Sequence, residues 1–457
     1  MISFSVEELV QATNGRLAGS GDKSSITGIS TDSRTTRQGE LFIPLVGENF
    51  DGHEYIEAAF KNGAAASLTQ NESIYFPGKT MIIVNNTLTA LQSLAAFYRN
   101  RFDIPFVGIT GSVGKTSTKE MVACALGERY NVLKNEGNLN NEIGVPLTIF
   151  KLEQEHEAAV VEMGMSAFGE IGALTNIVRP KVGIITNIGI SHIEKLGSRQ
   201  NILKAKLELL EGLQPDGLLV LNGDDVMLSG AKDLLKCRTV SYGLEEGVDY
   251  QAYNIQSRGE YGIDFCIMVG EVEYRIQLPS PGVHNVYNAL AAIAAGLELG
   301  VPMNCLQTGI SRFSPAKMRL NIIKANGLTV INDAYNASPQ SMKAALDVLG
   351  EMSSSRKIAV LGDMLELGDW SERAHMETGI QAARKEPDYI ITVGNEADNI
   401  ISGAVNAGFD PNRTAYFKNN IEAIEYIKEL VQTGDAILVK GSRGMKMEEI
   451  VHALTEE

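Results

Sequence analysis

A glycine-rich segment at residues 108–116 has the residue types needed to bind a phosphate chain. It reads GITGSVGKT and lies between an apolar, strand-like stretch at 104–107 and residues with helical apolar spacing at 117–126. Strand, glycine loop and helix together let backbone N–H groups and the positive end of a helix bind phosphate. We expect Lys115 to reach the β- and γ-phosphates of a nucleotide and the Thr116 hydroxyl to bind Mg²⁺. The loop departs from the common G-x-x-x-x-G-K-[ST] pattern because Ile109 stands where the first glycine belongs.

Two further side chains that could act in catalysis or metal binding lie in or just after apolar runs that we interpret as strands. Glu162 comes within the run at 158–165, and His192 follows the run at 181–187. Ligands of open α/β sheets bind at the carboxyl ends of the strands. A lone acid there is usually a solvated turn residue, but an acid and an imidazole beside a phosphate loop favour metal chemistry.

Other polar residues are ambiguous by themselves. The run Ser30, Thr31, Asp32, Ser33 and Arg34 is more typical of a solvated turn, although Arg34 and His53 have the chemistry to hold a diphosphate or sugar. The lysines of the amphipathic segment 201–210 are by default solvated, and Asn285 is by default a helix cap.

The order of elements predicts an α/β protein of three domains. Residues 1–100 are expected to form a small N-terminal α/β domain, and residues 101–313 a central P-loop domain with a mostly parallel sheet. Within the central domain, short β-type runs from 238 to 279 indicate antiparallel strands. Residues 314–457 repeat strand, glycine and helix, which predicts a C-terminal Rossmann-like, doubly wound domain.

The composition is ordinary for a globular protein and argues against some classes of partner. The 457 residues are 44% hydrophobic and 21% charged, with a net charge of −16. That charge argues against general binding to nucleic acid or to an anionic membrane. The four cysteines lack C-x-x-C spacing, which fits a reducing compartment. Because the sequence shows neither a signal-peptide pattern nor a membrane-spanning run, we expect a cytoplasmic protein.

Several short motifs occur in a fixed order along the chain. The loop at 110–116 has the form T-G-x-x-G-K-[ST]. The others are DSR, FDGH, GNLNNEIG, EMG, HNVYNAL, DAYNA, LGDMLELG and VKGSRG, at 32–34, 50–53, 137–144, 162–164, 284–290, 333–337, 361–368 and 439–444. In form and order the chain resembles the Mur ligases, the ATP-dependent amino-acid-adding enzymes of peptidoglycan synthesis. Within that family it is most similar to the branch that adds D-alanyl-D-alanine to UDP-N-acetylmuramoyl-tripeptide.

The resemblance implies roles for the residues that match the motifs. ATP-binding positions are Thr110, Gly111, Ser112, Val113, Gly114, Lys115, Thr116, Ser117, Asn285, Asn288, Arg319 and Asp333. Metal ligands are Thr116, Glu162, His192 and Lys206, the last matching the lysine that the family carbamylates with CO₂. Lys115, Lys206 and His192 match catalytic positions. The positions that match the family's binding site for the uridine-nucleotide substrate are Ser30, Thr31, Asp32, Ser33, Arg34, Asp51, Gly52, His53, Asn138 and Asn141.

The resemblance also implies a reaction and its cofactors. The C-terminal carboxylate of the UDP-linked tripeptide attacks the γ-phosphate of ATP, and the amine of D-alanyl-D-alanine then displaces phosphate from the acyl phosphate. ATP and Mg²⁺ are the cofactors, the third domain closes over the site, and we expect a monomer.

Alternatives stay open at this point. A sibling that adds diaminopimelate or lysine shares most ATP motifs, but its third-domain Asp-Asn-Pro-Arg is matched here only by Asp410-Pro411-Asn412-Arg413 in a different order. Folylpolyglutamate synthase shares the core but lacks the uridine cradle. A nucleotide-gated protein without ligase activity is a third alternative, against which the intact Lys115, Glu162, His192 and Lys206 argue. No motif decides whether the tripeptide ends in diaminopimelate or lysine.

Overall fold

The computed structural model describes residues 3–19 and 25–456, and their strands form three separate sheets. The order of the sheets along the chain follows the order of the expected domains. The predicted α/β class with three mostly parallel sheets is therefore confirmed. The exact boundaries near residues 100 and 313 stay predictions.

The first sheet has strand order β1-β5-β4-β3-β2, with only β1 antiparallel. Its elements are α1 (Val6–Thr13), β1 (Arg16–Ala18), β2 (Gly28–Ser30), β3 (Glu40–Phe42), α2 (Ile56–Lys61), β4 (Ala66–Thr69), β5 (Thr80–Ile83) and α3 (Thr87–Arg99). Helix α1 begins where the sequence predicts, because the Ser5 hydroxyl and the Glu8 carboxylate each accept the other residue's backbone N–H.

The central sheet has the order β14-β13-β12-β11-β10-β9-β6-β8-β7. Its strands are β6 (Phe106–Thr110), β7 (Val132–Lys134), β8 (Ala158–Glu162), β9 (Val182–Ile185), β10 (Leu218–Asn222), β11 (Arg238–Gly243), β12 (Tyr250–Ser257), β13 (Ile263–Val269) and β14 (Val272–Leu278). The helices are α4 (Lys115–Leu126), α5 (Gly144–Ile149), α6 (Glu170–Val178), α7 (Ile193–Leu196), α8 (Arg199–Leu207), α9 (Val226–Lys232), α10 (Val283–Glu298) and α11 (Met303–Ser311).

The antiparallel region of this sheet starts later than the sequence suggested. Strand β11 pairs in parallel with both β10 and β12, and the antiparallel pairs of this sheet are β12 with β13 and β13 with β14. The expectation of antiparallel strands from residue 238 is therefore wrong for β11. Its helical connection through α9 lets β11 extend the parallel sheet.

The C-terminal sheet has the order β15-β16-β20-β17-β18-β19, parallel except for β15. Its strands are β15 (Asn321–Ala325), β16 (Leu328–Asp333), β17 (Arg356–Gly362), β18 (Tyr389–Val393), β19 (Thr414–Phe417) and β20 (Asp435–Lys440). Its helices are α12 (Pro339–Glu351), α13 (Ser371–Ala383), α14 (Asp398–Asn406), α15 (Asn420–Leu430) and α16 (Glu448–Thr455).

The first two domains share one apolar core, whose members run from Phe4 to Leu228. The Tyr98 hydroxyl donates to the Leu152 carbonyl at 2.8 Å, and Arg99 donates to the Val178 carbonyl at 2.9 Å. The C-terminal sheet instead packs its two faces into cores of its own. Within the described ranges, no helix combines the length and the apolar composition needed to cross a bilayer.

Candidate functional site

The phosphate loop connects the end of β6 to the start of α4. Gly114 precedes the helix with a φ of 87°, and no side chain caps this helix end in the described part of the chain. The first N–H groups of α4 therefore point toward the loop without a protein partner from a cap. At Gly111, a Cβ atom would lie 1.9 Å from the Thr186 hydroxyl oxygen, so only glycine fits there.

Lys115 lies folded over this loop. Its Nζ donates to the carbonyl of Gly111 at 2.8 Å and to that of Ser112 at 3.3 Å. Burial lowers the pKa of Lys115 below its usual value, the Glu162 charge opposes that shift, and the Arg319 charge adds to it. A phosphate bound at the loop would supply a negative charge that stabilises the buried ammonium group of Lys115.

The end of β9 fixes the shape of the loop. Asn187 accepts the Val113 N–H at 3.0 Å and donates to the Val113 carbonyl at 2.8 Å. The Thr186 hydroxyl also donates to the Val113 carbonyl, at 2.6 Å. Thr186 and Asn187 are supporting residues that the sequence analysis did not assign. Their position directly after an apolar strand was the available signal.

Glu162 ends β8 and is held at both carboxylate oxygens. The Thr116 hydroxyl donates to Oε2 at 2.8 Å, and the Asn140 amide donates to Oε1 at 2.7 Å. Asn135 pairs with the Glu162 backbone, accepting its N–H at 2.9 Å and donating to its carbonyl at 3.0 Å. Because Glu162 is also only 2% exposed, its carboxylate is fixed beside Thr116. Asn135 and Asn140 are functional neighbours that the sequence analysis missed, since their distance from Glu162 along the chain hides the contact.

His192 and Lys206 lie near Lys115 but outside the main cleft. His192 precedes α7 in a left-handed conformation with φ 62°. Burial and the charge of Lys115 lower the pKa of His192, and the charge of Glu366 opposes them.

Lys206 in α8 is 2% exposed, which overturns the default of a solvated helix lysine. Burial, aided by the Lys115 charge, places the pKa of Lys206 well below its usual value. No hydrogen bond or ion pair holds its ammonium group among the described residues.

A chain of buried amides joins α4 to α10. Asn288 accepts the Thr118 hydroxyl at 2.8 Å and donates to the Asn285 side chain at 3.0 Å. Asn285 donates in turn to the Ser280 hydroxyl at 3.0 Å and to the Pro281 carbonyl at 2.8 Å. Both asparagines thus hold the helix of the phosphate loop in place as well as lining the adjacent cleft.

The C-terminal domain contributes Arg319 and Asp333. The Arg319 guanidinium lies 4.1 Å from the ring centre of Tyr335. Asp333 ends β16, accepts the Leu320 N–H at 3.0 Å and pairs with the buried Lys440 at 2.5 Å. Because Leu320 follows Arg319 directly, Asp333 also anchors the segment that carries Arg319.

A cleft of about 1180 Å³ separates the central and C-terminal domains. Its lining includes these predicted positions: Ser112, Val113, Gly114, Lys115, Thr116, Ser117, Glu162, Asn285, Asn288, Arg319 and Asp333. Thr110, Gly111, His192, Lys206 and the predicted first-domain positions do not line it. The volume and the mixture of lysine, arginine and amide groups suit a nucleoside triphosphate.

The first-domain residues form local structures at a distance from this cleft. The Arg34 guanidinium donates to the Asp32 carboxylate at 2.7 Å and lowers the pKa of Asp32 to about 2. His53 is buried, its Nδ1 lies 2.6 Å from the Asp51 carboxylate, and its Nε2 accepts the Gln70 N–H at 3.1 Å. Both ring nitrogens of His53 therefore have interaction partners within the protein. The contact of His53 with the substrate stays a prediction.

The remaining predicted substrate positions have local partners or lie on loops. Ser30 is buried and its hydroxyl donates to the Asp32 carbonyl at 2.9 Å. Thr31 and Ser33 lie in the same turn, and Gly52 begins a short 3₁₀ helix. Asn141 accepts the N–H of Gly144, the first residue of α5, at 2.9 Å, and Asn138 is exposed on the preceding loop.

Three Mur ligase domain models match the chain in order. Residues 25–99 match "Mur ligase family, catalytic domain", 109–296 match "Mur ligase middle domain", and 318–443 match "Mur ligase, glutamate ligase domain". The UDP-N-acetylmuramoyl-tripeptide–D-alanyl-D-alanine ligase of Bacillus subtilis is 43% identical over 100% of this chain and 99% of its own length. The chain belongs to the Mur ligase family. The resemblance inferred from the motifs is thereby confirmed.

Solved Mur ligase structures share the whole architecture. MurF from Acinetobacter baumannii superposes with a TM-score of 0.93 at 32% identity, covering 100% of both chains. MurF from Thermotoga maritima, solved in complex with ADP, gives a TM-score of 0.85 at 26% identity and covers 94% of this chain and 97% of its own.

Proposed function

We propose that this Mur ligase joins D-alanyl-D-alanine to UDP-N-acetylmuramoyl-tripeptide, converting ATP to ADP and phosphate. The observation that carries the proposal is the end-to-end identity of 43% with the B. subtilis enzyme of that name. The product is UDP-N-acetylmuramoyl-pentapeptide, a peptidoglycan precursor. The geometry supports an ATP-driven reaction because the phosphate loop opens into a cleft bordered by cationic residues.

The chemistry requires activation of a carboxylate, since a carboxylate does not react with an amine at neutral pH. The tripeptide carboxylate attacks the γ-phosphorus, ADP leaves, and the resulting acyl phosphate is attacked by the dipeptide amine with loss of phosphate. Lys115 on the loop and Arg319 across the cleft are placed to offset the negative charge that develops. The Arg319 guanidinium is oriented by its stacking on Tyr335.

The residues around Thr116 fit Mg²⁺ bound together with a nucleotide. In the described part of the chain, no group of three or more His, Cys, Asp or Glu side chains is arranged to hold a metal. Mg²⁺ usually takes only one or two carboxylates and completes its shell with phosphate and water. The Thr116 hydroxyl and the Glu162 carboxylate, 2.8 Å apart, would supply the protein oxygens. His192, which does not line this cleft, is a ligand position on the family resemblance alone. The ion would supply charge neutralisation at the phosphates.

Lys206 fits the role of a carbamylated lysine. Its lowered pKa favours the neutral amine, which is the form that reacts with CO₂, and no carboxylate among the described residues pairs with it. Carbamylation would convert this buried amine beside Lys115 into an anion carrying oxygen donors. The anion would be attracted to the Lys115 charge and would offer oxygen ligands to a hard cation.

The first domain is proposed to bind the uridine nucleotide. Arg34 is exposed enough to reach a diphosphate, and the Asp32 carboxylate holds it at the turn. We further propose that the protein works as a monomer in the cytoplasm. The free thiols of Cys124, Cys237, Cys266 and Cys305 agree with a reducing compartment.

Acceptor-dependent phosphate release tests the proposed reaction. Purified protein is given ATP, Mg²⁺ and UDP-N-acetylmuramoyl-tripeptide, with D-alanyl-D-alanine, diaminopimelate, lysine or glutamate as acceptor. Release only with the dipeptide supports the proposal, and comparing the two tripeptides identifies the third residue. Release with a single amino acid would assign the chain to a sibling branch, and no release in folded, ATP-binding protein would favour a regulatory protein.

Replacing Lys115 separates catalysis from substrate binding. We expect Lys115→Ala to lower phosphate release by at least about 100-fold, because the loop loses its charge contact to the phosphates. Binding of the UDP-tripeptide, measured by calorimetry, is expected to stay within about twofold of wild type, because most of its proposed contacts lie in the first domain and none of them is made by Lys115. Loss of that binding in a folded variant would contradict this division of roles.

A further inference from the structure

Two residues in the left-handed backbone region meet between the central and C-terminal domains. His192 and Glu366 both have φ 62°, and His192 Nδ1 lies 3.0 Å from Glu366 Oε2. Left-handed backbone is uncommon for residues other than glycine. The contact therefore joins two unusual backbone positions, one in each domain.

The loop that carries Glu366 is fixed to its own domain on several sides. The Met364 N–H donates to the buried His375 ring at 2.9 Å, and the Leu365 N–H donates to the Ser442 hydroxyl at 2.9 Å. The Ser442 N–H donates back to the Asp363 carbonyl at 3.0 Å. The Glu366 side chain, by contrast, is 68% exposed. A rigid loop thus holds an exposed carboxylate out toward the opposite domain.

The surroundings of His192 give this carboxylate a specific target. The His192 side chain is 28% exposed and lies close enough to Lys115 and Lys206 for their charges to act on it. The two loops also meet a second time, since a Cβ on Gly368 would lie 3.3 Å from the Glu194 side chain. The carboxylate can reach His192 only while the two domains are in contact.

We propose that Glu366 is a positioning residue, supplied by the C-terminal domain, that orients the His192 imidazole through Nδ1. With Nδ1 turned to the carboxylate, Nε2 is the ring nitrogen left for a divalent cation beside the phosphate loop. Carboxylates that orient histidine ligands in this way are a common second layer around metal ions. The proposal rests on the proposed function, and it explains the motif at 361–368, to which the reaction itself assigns no group.

Two readouts separate this role from a structural one. The first is the affinity for Mn²⁺, a paramagnetic substitute for Mg²⁺, measured by electron paramagnetic resonance with the β,γ-imido analogue of ATP and the UDP-tripeptide present. The second is the division of any kinetic defect between kcat and KM. Asp369→Asn is the matched control, because Asp369 is an exposed carboxylate near the same loop and pairs with nothing in the described residues.

For Glu366→Ala we expect Mn²⁺ affinity and kcat to fall about 10- to 100-fold, with the KM values for ATP and UDP-tripeptide within about twofold of wild type. Glu366→Gln is expected to fall between alanine and wild type, because its amide oxygen can still accept from the ring. Wild-type Mn²⁺ affinity in folded Glu366→Ala would overturn the proposal, as would an equal loss in Asp369→Asn. If wild type itself fails to turn over the dipeptide, the proposed function fails, while the Mn²⁺ measurement still decides the role of Glu366.

Discussion

Lys206 shows at the scale of a single residue how a site can cost stability. A buried ammonium group without a counter-ion is unfavourable, and the nearby Lys115 charge makes it more so. Lys204 lies two positions earlier on the same helix but is exposed. The two lysines therefore form a natural pair for comparison.

We expect Lys206→Met to raise the free energy of unfolding by about 1–2 kcal/mol at pH 7 in CO₂-depleted buffer, and to abolish ligation. The gain is fully present below the lowered folded-state pKa of Lys206. It shrinks as the pH rises toward 10.5, because the unfolded chain then loses the same proton. Urea unfolding from about pH 7 to about pH 10 measures both effects, with Lys204→Met as the control. A loss of stability at pH 7, or an equal change in Lys204→Met, would contradict the assignment.

Some site residues could be predicted from the sequence, and others could not, for a physical reason. Lys115 and Thr116 lie in a continuous motif whose geometry is local, so spacing alone places them. The bonds from Asn135 and Asn140 to Glu162 span 27 and 22 residues. The contact between His192 and Glu366 depends on how two domains pack. No periodicity in a single sequence encodes such contacts.

At the scale of elements, Asn135 ties the end of β7 to the end of β8. Its amide pairs with the Glu162 backbone in both directions and also donates to the Leu139 carbonyl at 2.8 Å. The buried Lys119 of α4 donates to the Asn135 carbonyl at 2.5 Å. One residue therefore connects two strand ends, the loop at 137–140 and the helix of the phosphate loop.

Asn135→Ala is expected to lower the free energy of unfolding by about 1–3 kcal/mol, because it leaves buried backbone groups of Glu162 unpaired. The substitution should also lower kcat, because the backbone of Glu162 is then held less firmly and its carboxylate is less well positioned. Chemical denaturation and steady-state kinetics measure the two effects. Asn138→Ala, on the exposed part of the same loop, should be close to wild type in stability. Equal stabilities for the two variants would rule out the connecting role of Asn135.

The elements themselves were largely predictable where patterns are local. The Ser5 capping box, the strand before the phosphate loop and the alternation of strand and helix all appear as expected. The direction of β11 could not be predicted, because an apolar run has the same sequence pattern in a parallel and in an antiparallel strand pair. The connection through α9 decides the direction, and that helix is only seven residues long.

At the scale of the whole molecule, the division of the cores sets which parts move together. The first and central domains share one core around Tyr98, whose ring packs with those of Phe4, Phe102 and Phe150. The C-terminal domain meets the central domain through polar contacts, such as Ser257 to Glu351 at 2.7 Å, and through the partly buried Ile190. We infer that the first two domains behave as one body and that the C-terminal domain is the part able to close the cleft.

Tyr98→Ala tests this division. We expect it to destabilise the first and central domains together by about 3–5 kcal/mol, because it removes a fully buried ring from their shared core. Hydrogen exchange with mass spectrometry should show lost protection in β1–β14 and little change in β15–β20. Leu438→Ala, in the C-terminal core, should give the reverse pattern. Loss of protection in all three sheets in both variants would show a single cooperative unit instead.

Isotope transfer is the most direct test of the central claim, that this molecule joins two substrates through an acyl phosphate. The tripeptide substrate is labelled with ¹⁸O at both oxygens of its C-terminal carboxylate and incubated with ATP, Mg²⁺ and D-alanyl-D-alanine. We predict that one ¹⁸O atom appears in the released phosphate and one remains in the new amide of the pentapeptide, both measured by mass spectrometry. Unlabelled phosphate released alongside the pentapeptide product would contradict the acyl-phosphate route, and labelled phosphate with no pentapeptide product would contradict the proposed acceptor.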